Sequence, residues 1–191
     1  MDPSEAREHL EMAERIVAAS TRELSMRYAA PFFVVWGLFE TWVDLSAQLA
    51  LDHVVRPVVS GGVDLALLLA AITWSALYGM RKGSVRRRGL TIAEREFLRI
   101  MGVTFTLTFL AEWTGLFPSV GSASAIWSLA SAAVLFFIWT HGNWRAFVCG
   151  IIIFASMFAG GYIPSIGGYA LAAGLLLGYA GFGLLESLAR A

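Results

Sequence analysis

The stretch FFVVWGLFETWVDLSAQLAL, residues 32–51, is apolar enough to cross a bilayer, yet it contains two carboxylates, Glu40 and Asp44. It contains no Lys or Arg that would neutralise them. A carboxylate at the middle of a bilayer costs roughly 2.5–3.5 kcal/mol on insertion scales. If this segment spans a membrane, both acids must therefore face the protein interior or water and not lipid.

The composition of the whole chain favours a membrane protein. Of its 191 residues, 58% are hydrophobic and 15% are charged, whereas soluble domains average about 45–50% and about 25%. The formal net charge of zero argues against a nucleic-acid binder that relies on bulk electrostatics. The single cysteine, Cys149, excludes an intrachain disulfide.

The apolar residues are grouped into windows of about 20, the length that crosses the hydrocarbon layer as a helix. Six such windows are 29–50, 61–80, 99–117, 123–140, 145–162 and 167–187. We therefore predict an all-α, polytopic integral membrane bundle of six transmembrane helices over residues 28–191. Residues 1–27 are charged but have apolar residues at helical spacing, which predicts an amphipathic helix in the cytoplasm or on the membrane surface.

The orientation of the bundle follows from the basic residues in its loops. The segment RKGSVRRRGLTIAERE, residues 81–96, joins the second and third windows and contains six Lys or Arg. Short loops rich in Lys and Arg stay on the cytoplasmic side. We expect a multi-pass protein of the plasma or inner membrane with both termini in the cytoplasm.

Polar side chains recur every four residues in two of the predicted spans, so each set shares one helix face. The first span has Glu40, Asp44 and Gln48, and the third has the segment TFTLTFLAEWTG, residues 104–115. We expect these faces to meet in the outward half of the bundle. The candidate binding residues are Glu40, Asp44, Glu112, Asp64, Thr104, Thr108 and Gln48.

Acids inside a membrane are stabilised by protonation, by hydration in a cavity or by a bound cation, and they are functional candidates by default. One hypothesis is a small channel or carrier, or a membrane subunit of a transport system, with an outward-facing, acid-lined cavity for a proton or cationic solute. In the structural alternative the acids only bond hydroxyls across helices. A different hypothesis is a membrane accessory or sensor protein whose residues 2–24 bind a cytoplasmic partner.

A glycine pattern in the last window predicts close helix packing. Gly174, Gly178 and Gly181 lie on nearly the same face, and small residues at such spacing let another backbone approach. The neighbour is a helix of the same bundle or, in a homo-oligomer, of a second copy. Ser124, Ser128 and Ser131 give the fourth window a similar small-residue face.

Motifs for catalysis or cofactor binding are missing from the sequence. It has no GxSxG, HExxH or CxxC motif and no phosphate-binding glycine loop. Its carboxylates and histidines show no compact ligand spacing that would specify a metal. We therefore predict a protein that is not an enzyme and has no cofactor and no metal site.

Overall fold

The computed structural model describes residues 7–14, 26–85, 92–114 and 120–189, and all regular secondary structure in these ranges is helical. Helix α1 covers residues 7–14. Residues 1–6 and 15–25 of the predicted N-terminal helix lie outside the described residues, and residues 26–27 belong to α2. The next helices are α2 (Met26–Leu51), α3 (Pro57–Val85), α4 (Ile92–Trp113), α5 (Val120–Thr140) and α6 (Trp144–Tyr162). The fold is therefore all-α, as the sequence predicts.

The last apolar window forms one long helical rod with a local irregularity. A 3-10 turn, Pro164–Ile166, leads into α7 (Gly167–Leu175), a π-helical turn (Leu176–Ala180) and α8 (Gly181–Leu188). We call the continuous stretch Gly167–Leu188 the C-terminal rod. A π-helical turn inside an α-helix is uncommon and is frequent at functional sites.

In the described part of the chain, three helices are long and apolar enough to cross a membrane: Pro57–Arg81 within α3, Trp144–Tyr162 and the C-terminal rod. Shorter apolar stretches lie in α4 and α5, at Arg99–Ala111 and Ser124–Thr140. The three candidate spans indicate a membrane protein. Helix α2 is not among them because its middle carries polar residues, although it has 26 residues.

Helix α2 occupies the centre of the arrangement. It packs against α3, α7, the π-helical turn and α8, while α6 packs against α5 and the C-terminal rod. Helix α3 packs mainly on α2, and α4 mainly on α5. Only 11% of the apolar window of α3 is buried, and its large exposed side chains are mostly Val, Leu and Ile. Such an apolar exposed surface suits contact with lipid and not with water.

The apolar core lies between α2, α5, α6 and the C-terminal rod. Its buried members include Phe33, Leu135, Ile153, Tyr179 and Phe182. The ring of Phe33 meets those of Tyr179 and Phe182 edge-on, with centroids 4.9 and 5.1 Å apart. This group of rings lies beside the part of α2 that precedes Glu40 in the sequence.

Glycines allow the rod to approach its neighbours closely. A Cβ at Gly183 would meet the carbonyl oxygen of Ala30 at 2.6 Å, so α8 and α2 are in backbone contact there. Gly174 and Gly178 face α6, where a Cβ would collide with Ser156 and Ile153 respectively.

The third glycine of the predicted packing face is in a different environment. For Gly181 the nearest atom to an added Cβ is the carbonyl oxygen of Leu176, 3.5 Å away in the same rod. Gly37 of α2 supplies a close contact that the pattern did not single out, because a Cβ there would meet the backbone nitrogen of Ala180 at 2.5 Å.

We predict opposite effects for two helical Gly-to-Ala substitutions. Gly183→Ala forces α2 and α8 apart and should lower the free energy of unfolding by about 1–3 kcal/mol. Gly102→Ala is the matched control, because nothing lies within 4 Å of its added Cβ, and it should raise that energy by about 0.5–1 kcal/mol. Reversible unfolding in mixed micelles measures both. Equal effects would contradict the close contact.

Candidate functional site

The polar face of α2 is buried inside the bundle. Glu40, Asp44 and Gln48 are 9%, 4% and 6% exposed, although they interrupt an otherwise apolar helix. Their spacing of four residues stacks them along one side of α2. The polar side of α2 therefore faces the protein, and among the described side chains of this helix only Leu38 and Leu51 are exposed.

Helix α5 supplies the hydroxyl groups that meet these acids. The Ser131 hydroxyl donates a 2.9 Å hydrogen bond to Oε2 of Glu40, and the Ser124 hydroxyl is a hydrogen-bond partner of Asp44. Ser128 lies between them on the same face of α5, four residues after Ser124 and three before Ser131. We call Glu40, Asp44, Ser124, Ser128 and Ser131 the acid–serine seam.

Two atoms of the acid–serine seam are buried without a partner. Oδ2 of Asp44 and Oγ of Ser128 form no hydrogen bond with the described residues. Both residues are deeply enclosed, since Asp44 is 4% and Ser128 0% exposed. A buried polar atom without a hydrogen bond costs about 1–3 kcal/mol, so each such atom in a native structure requires an explanation.

The π-helical turn lies at the Glu40 end of the acid–serine seam. It places Tyr179, which is 1% exposed, beside Glu40, and the two side chains interact electrostatically. The absence of a side chain at Gly37 lets the turn approach α2. The ring of Phe33 contacts the ring of Tyr179 and belongs to the apolar core. The acid–serine seam is therefore bounded by apolar side chains at its Glu40 end.

A second set of polar contacts closes the opposite end of the seam. The amide of Gln48 accepts a hydrogen bond from the backbone N–H of Gly168 at 3.1 Å and donates one to Asp52 at 3.0 Å. The phenol of Tyr169 donates to the other Asp52 oxygen at 2.7 Å. We call this group, Gln48, Asp52, Gly168 and Tyr169, the outer clasp. It ties the end of α2 to the start of the C-terminal rod.

The remaining predicted residues lie elsewhere. The carboxylate of Asp64 accepts from the Ser46 hydroxyl, at 3.0 and 3.2 Å for its two oxygens. Because Ser46 is two residues after Asp44, the Asp64 pair lies on another side of α2. The Thr108 hydroxyl donates to the carbonyl oxygen of Thr104 within α4, at 2.9 Å. The side chain of Glu112 is outside the described part of the chain.

A buried acid also anchors the other end of the bundle. Glu186 of α8 is 2% exposed, and its Oε1 accepts from Asn143 at 3.0 Å and pairs with Arg145 at 3.5 Å. Gly142 adopts a positive φ of 89°, which glycine tolerates, before Asn143 caps α6. We call Glu186, Asn143 and Arg145 the Glu186 cluster. No sequence pattern pairs Glu186 with the other two residues, because more than 40 positions separate them.

The chemistry of the acid–serine seam is that of oxygen ligands in a low-dielectric setting. Carboxylates and hydroxyls bind protons and hard cations. Among the described residues no group of three His, Cys, Asp or Glu is placed to hold a metal ion. Comparison with protein-family models, curated proteins and solved structures finds no significant similarity for this chain.

We predict that Asn143 stabilises the fold through both of its amide atoms. Its oxygen caps α6, and its nitrogen donates to Glu186. Asn143→Ala removes both contacts and should lower the free energy of unfolding by roughly 2 kcal/mol or more. Asn143→Ser keeps a capping oxygen and should lose distinctly less. Unfolding in mixed micelles gives the comparison. Equal losses in the two variants would show that the capping oxygen contributes nothing, and no loss in Asn143→Ser would show the same of the bond to Glu186.

Proposed function

We propose that this protein is a small multi-pass membrane carrier or channel, or a membrane subunit of a transport system, that binds a proton or small cation at the acid–serine seam. The observation that carries the proposal is the pair of buried, unpartnered atoms, Oδ2 of Asp44 and Oγ of Ser128. An occupant would satisfy both atoms.

The electrostatics of α2 support a cationic occupant. Glu40 and Asp44 are one helical turn apart, and residues 28–51 contain no Lys or Arg. The described partners of the two carboxylates are neutral serine hydroxyls, which donate hydrogen bonds but do not balance charge. Two ionised acids would repel each other in a medium of low dielectric constant. A proton or a cation removes that repulsion.

The proposal includes six membrane crossings, with both termini in the cytoplasm. Each of the six apolar windows coincides with a helix over its described residues, and successive helices joined by short turns favour alternating directions. The basic residues between α3 and α4 favour a cytoplasmic position for that connection. The outer clasp would then face the extracytoplasmic side of a plasma or inner membrane. The Glu186 cluster would face the cytoplasm.

The hypothesis of an accessory or sensor protein concerns a different part of the chain. Its predicted partner surface is residues 2–24. Residues 7–14 of this surface are helical and all exposed, including Leu10 and Met12 at 64% and 57%. Exposed apolar residues on a short charged helix suit a protein or a membrane surface equally. We therefore base the proposed function on the seam.

Flux measurements in proteoliposomes test the transport proposal. Glu40→Gln and Asp44→Asn keep the size of each side chain and remove its charge, and each should lower cation or proton flux by about tenfold or more, since a charged interaction of about 1.5–3 kcal/mol is lost. Glu14→Gln, in the exposed helix α1, is the matched control and should leave flux unchanged. Undiminished flux in both seam variants would contradict the proposal.

A further inference from the structure

We propose that the outer clasp is a gate that controls access to the acid–serine seam, and that α7 is the segment that moves when the gate opens. This inference rests on the proposed function and adds how its site is reached. Asp44 and Ser128 are 4% and 0% exposed. An occupant must therefore displace part of the protein before it reaches the seam.

The polar face of α2 leads from the seam to the exposed surface. Asp44, Gln48 and Asp52 follow one another at intervals of one helical turn, and the backbone N–H of Asp52 still bonds the carbonyl oxygen of Gln48. Asp44 and Gln48 are 4% and 6% exposed, whereas Asp52 is exposed. Eight residues at 1.5 Å each make this polar path about 12 Å long. The cover over Gln48 therefore decides whether the path is open.

The start of α7 forms that cover. The backbone N–H of Gly168 donates to the Gln48 amide oxygen at 3.1 Å. A Cβ at Gly168 would meet the Cβ of Gln48 at 2.6 Å and the carbonyl oxygen of Asp44 at 3.0 Å, so α7 touches the backbone of α2 beside the seam. The next residue, Tyr169, bonds Asp52 at 2.7 Å. Hydrogen bonds of the outer clasp thus hold α7 over the polar path.

The outer clasp opens at a lower cost than the other end of the seam. At the Glu40 end lie the rings of Phe33, Tyr179 and Phe182, which are 0–2% exposed and packed edge-on. Separating them would expose apolar surface. Asp52 and Tyr169 are already exposed, so water can replace the hydrogen bond between them, and the net cost of breaking such a bond is small.

Two irregular turns bracket α7 and mark it as a unit that can tilt. The 3-10 turn Pro164–Ile166 precedes it, and the π-helical turn Leu176–Ala180 follows it. Hinges commonly lie at the ends of helices, where a few residues absorb the change in backbone angles. Beyond the π-helical turn the rod is fixed, because Gly183 touches the backbone of α2 and Glu186 bonds Asn143. Helix α7 therefore tilts about the π-helical turn while α8 stays in place.

Thiol accessibility tests the gate without measuring transport. In full-length protein in lipid nanodiscs, Cys149→Ala removes the native thiol and Ser128→Cys places one in the seam, and its reaction rate with a cationic methanethiosulfonate is measured. Tyr169→Phe removes one hydrogen bond of the clasp and should raise this rate about three- to tenfold. Asp52→Ala removes two and should raise it further. Tyr162→Phe is the matched control, because Tyr162 ends α6 and is 82% exposed, and it should leave the rate unchanged.

The chain that keeps Cys149 and Ser128 distinguishes opening of the gate from general loosening. Cys149 is 3% exposed in the apolar core, and the clasp substitutions should leave its reaction rate unchanged. Equal acceleration at Cys149 and at Ser128→Cys would overturn the gate, as would no acceleration at Ser128→Cys, and both results would leave the proposed function standing. Selective acceleration at Ser128→Cys, together with flux that does not depend on Glu40 or Asp44, would overturn the proposed function and leave the opening of the clasp standing.

Discussion

The structure depends on one constraint: an acid in an apolar helix needs hydrogen-bond partners from the protein itself. The hydrogen bond from the Ser131 hydroxyl to the carboxylate of Glu40 supplies such a partner. That requirement turns the polar side of α2 inward and makes α2 the central helix. It also turns that side toward α5, whose Ser131 and Ser124 hydroxyls reach the two acids. The apolar side of the assembly is left for lipid, as the exposed surface of α3 illustrates.

Close packing on the other side of α2 makes the arrangement possible. The C-terminal rod approaches α2 at Gly37 and Gly183 with almost no side-chain volume between the backbones. The π-helical turn then brings Tyr179 to the end of the acid–serine seam. The outer clasp and the Glu186 cluster fix the rod at its two ends. The outer clasp ties the start of the rod to α2, and Glu186 ties the end of the rod to the start of α6.

Much of this fold is contained in simple patterns of the sequence. The hydrophobic composition indicates a helical membrane protein. The spacing of Glu40, Asp44 and Gln48 places these residues on one face of one helix. Helical spacing does not identify which neighbour that face meets. We expected the matching partner on the third predicted span, but α4 packs mainly on α5 and its Thr108 bonds its own backbone.

The serines of α5 show why the rest was not predictable. Ser128 and Ser131 fit a small-residue packing face as well as a polar one, and the sequence does not distinguish a hydroxyl that fills space from one that donates a hydrogen bond. The same limit applies to Glu186 and Asn143, whose contact depends on the positions of two distant helices. Contacts between helices come from tertiary packing, which periodicity does not encode.

The most direct measurement is a double-mutant cycle between Glu40 and Ser131, read as free energies of unfolding in mixed micelles. If the two side chains meet inside the bundle, Glu40→Ala and Ser131→Ala will be non-additive by about 0.5–3 kcal/mol. The parallel cycle of Asp64→Ala with Ser131→Ala should be additive, because Asp64 bonds Ser46 instead. Additivity of the Glu40 and Ser131 substitutions within about 0.3–0.5 kcal/mol would contradict the inward-facing seam.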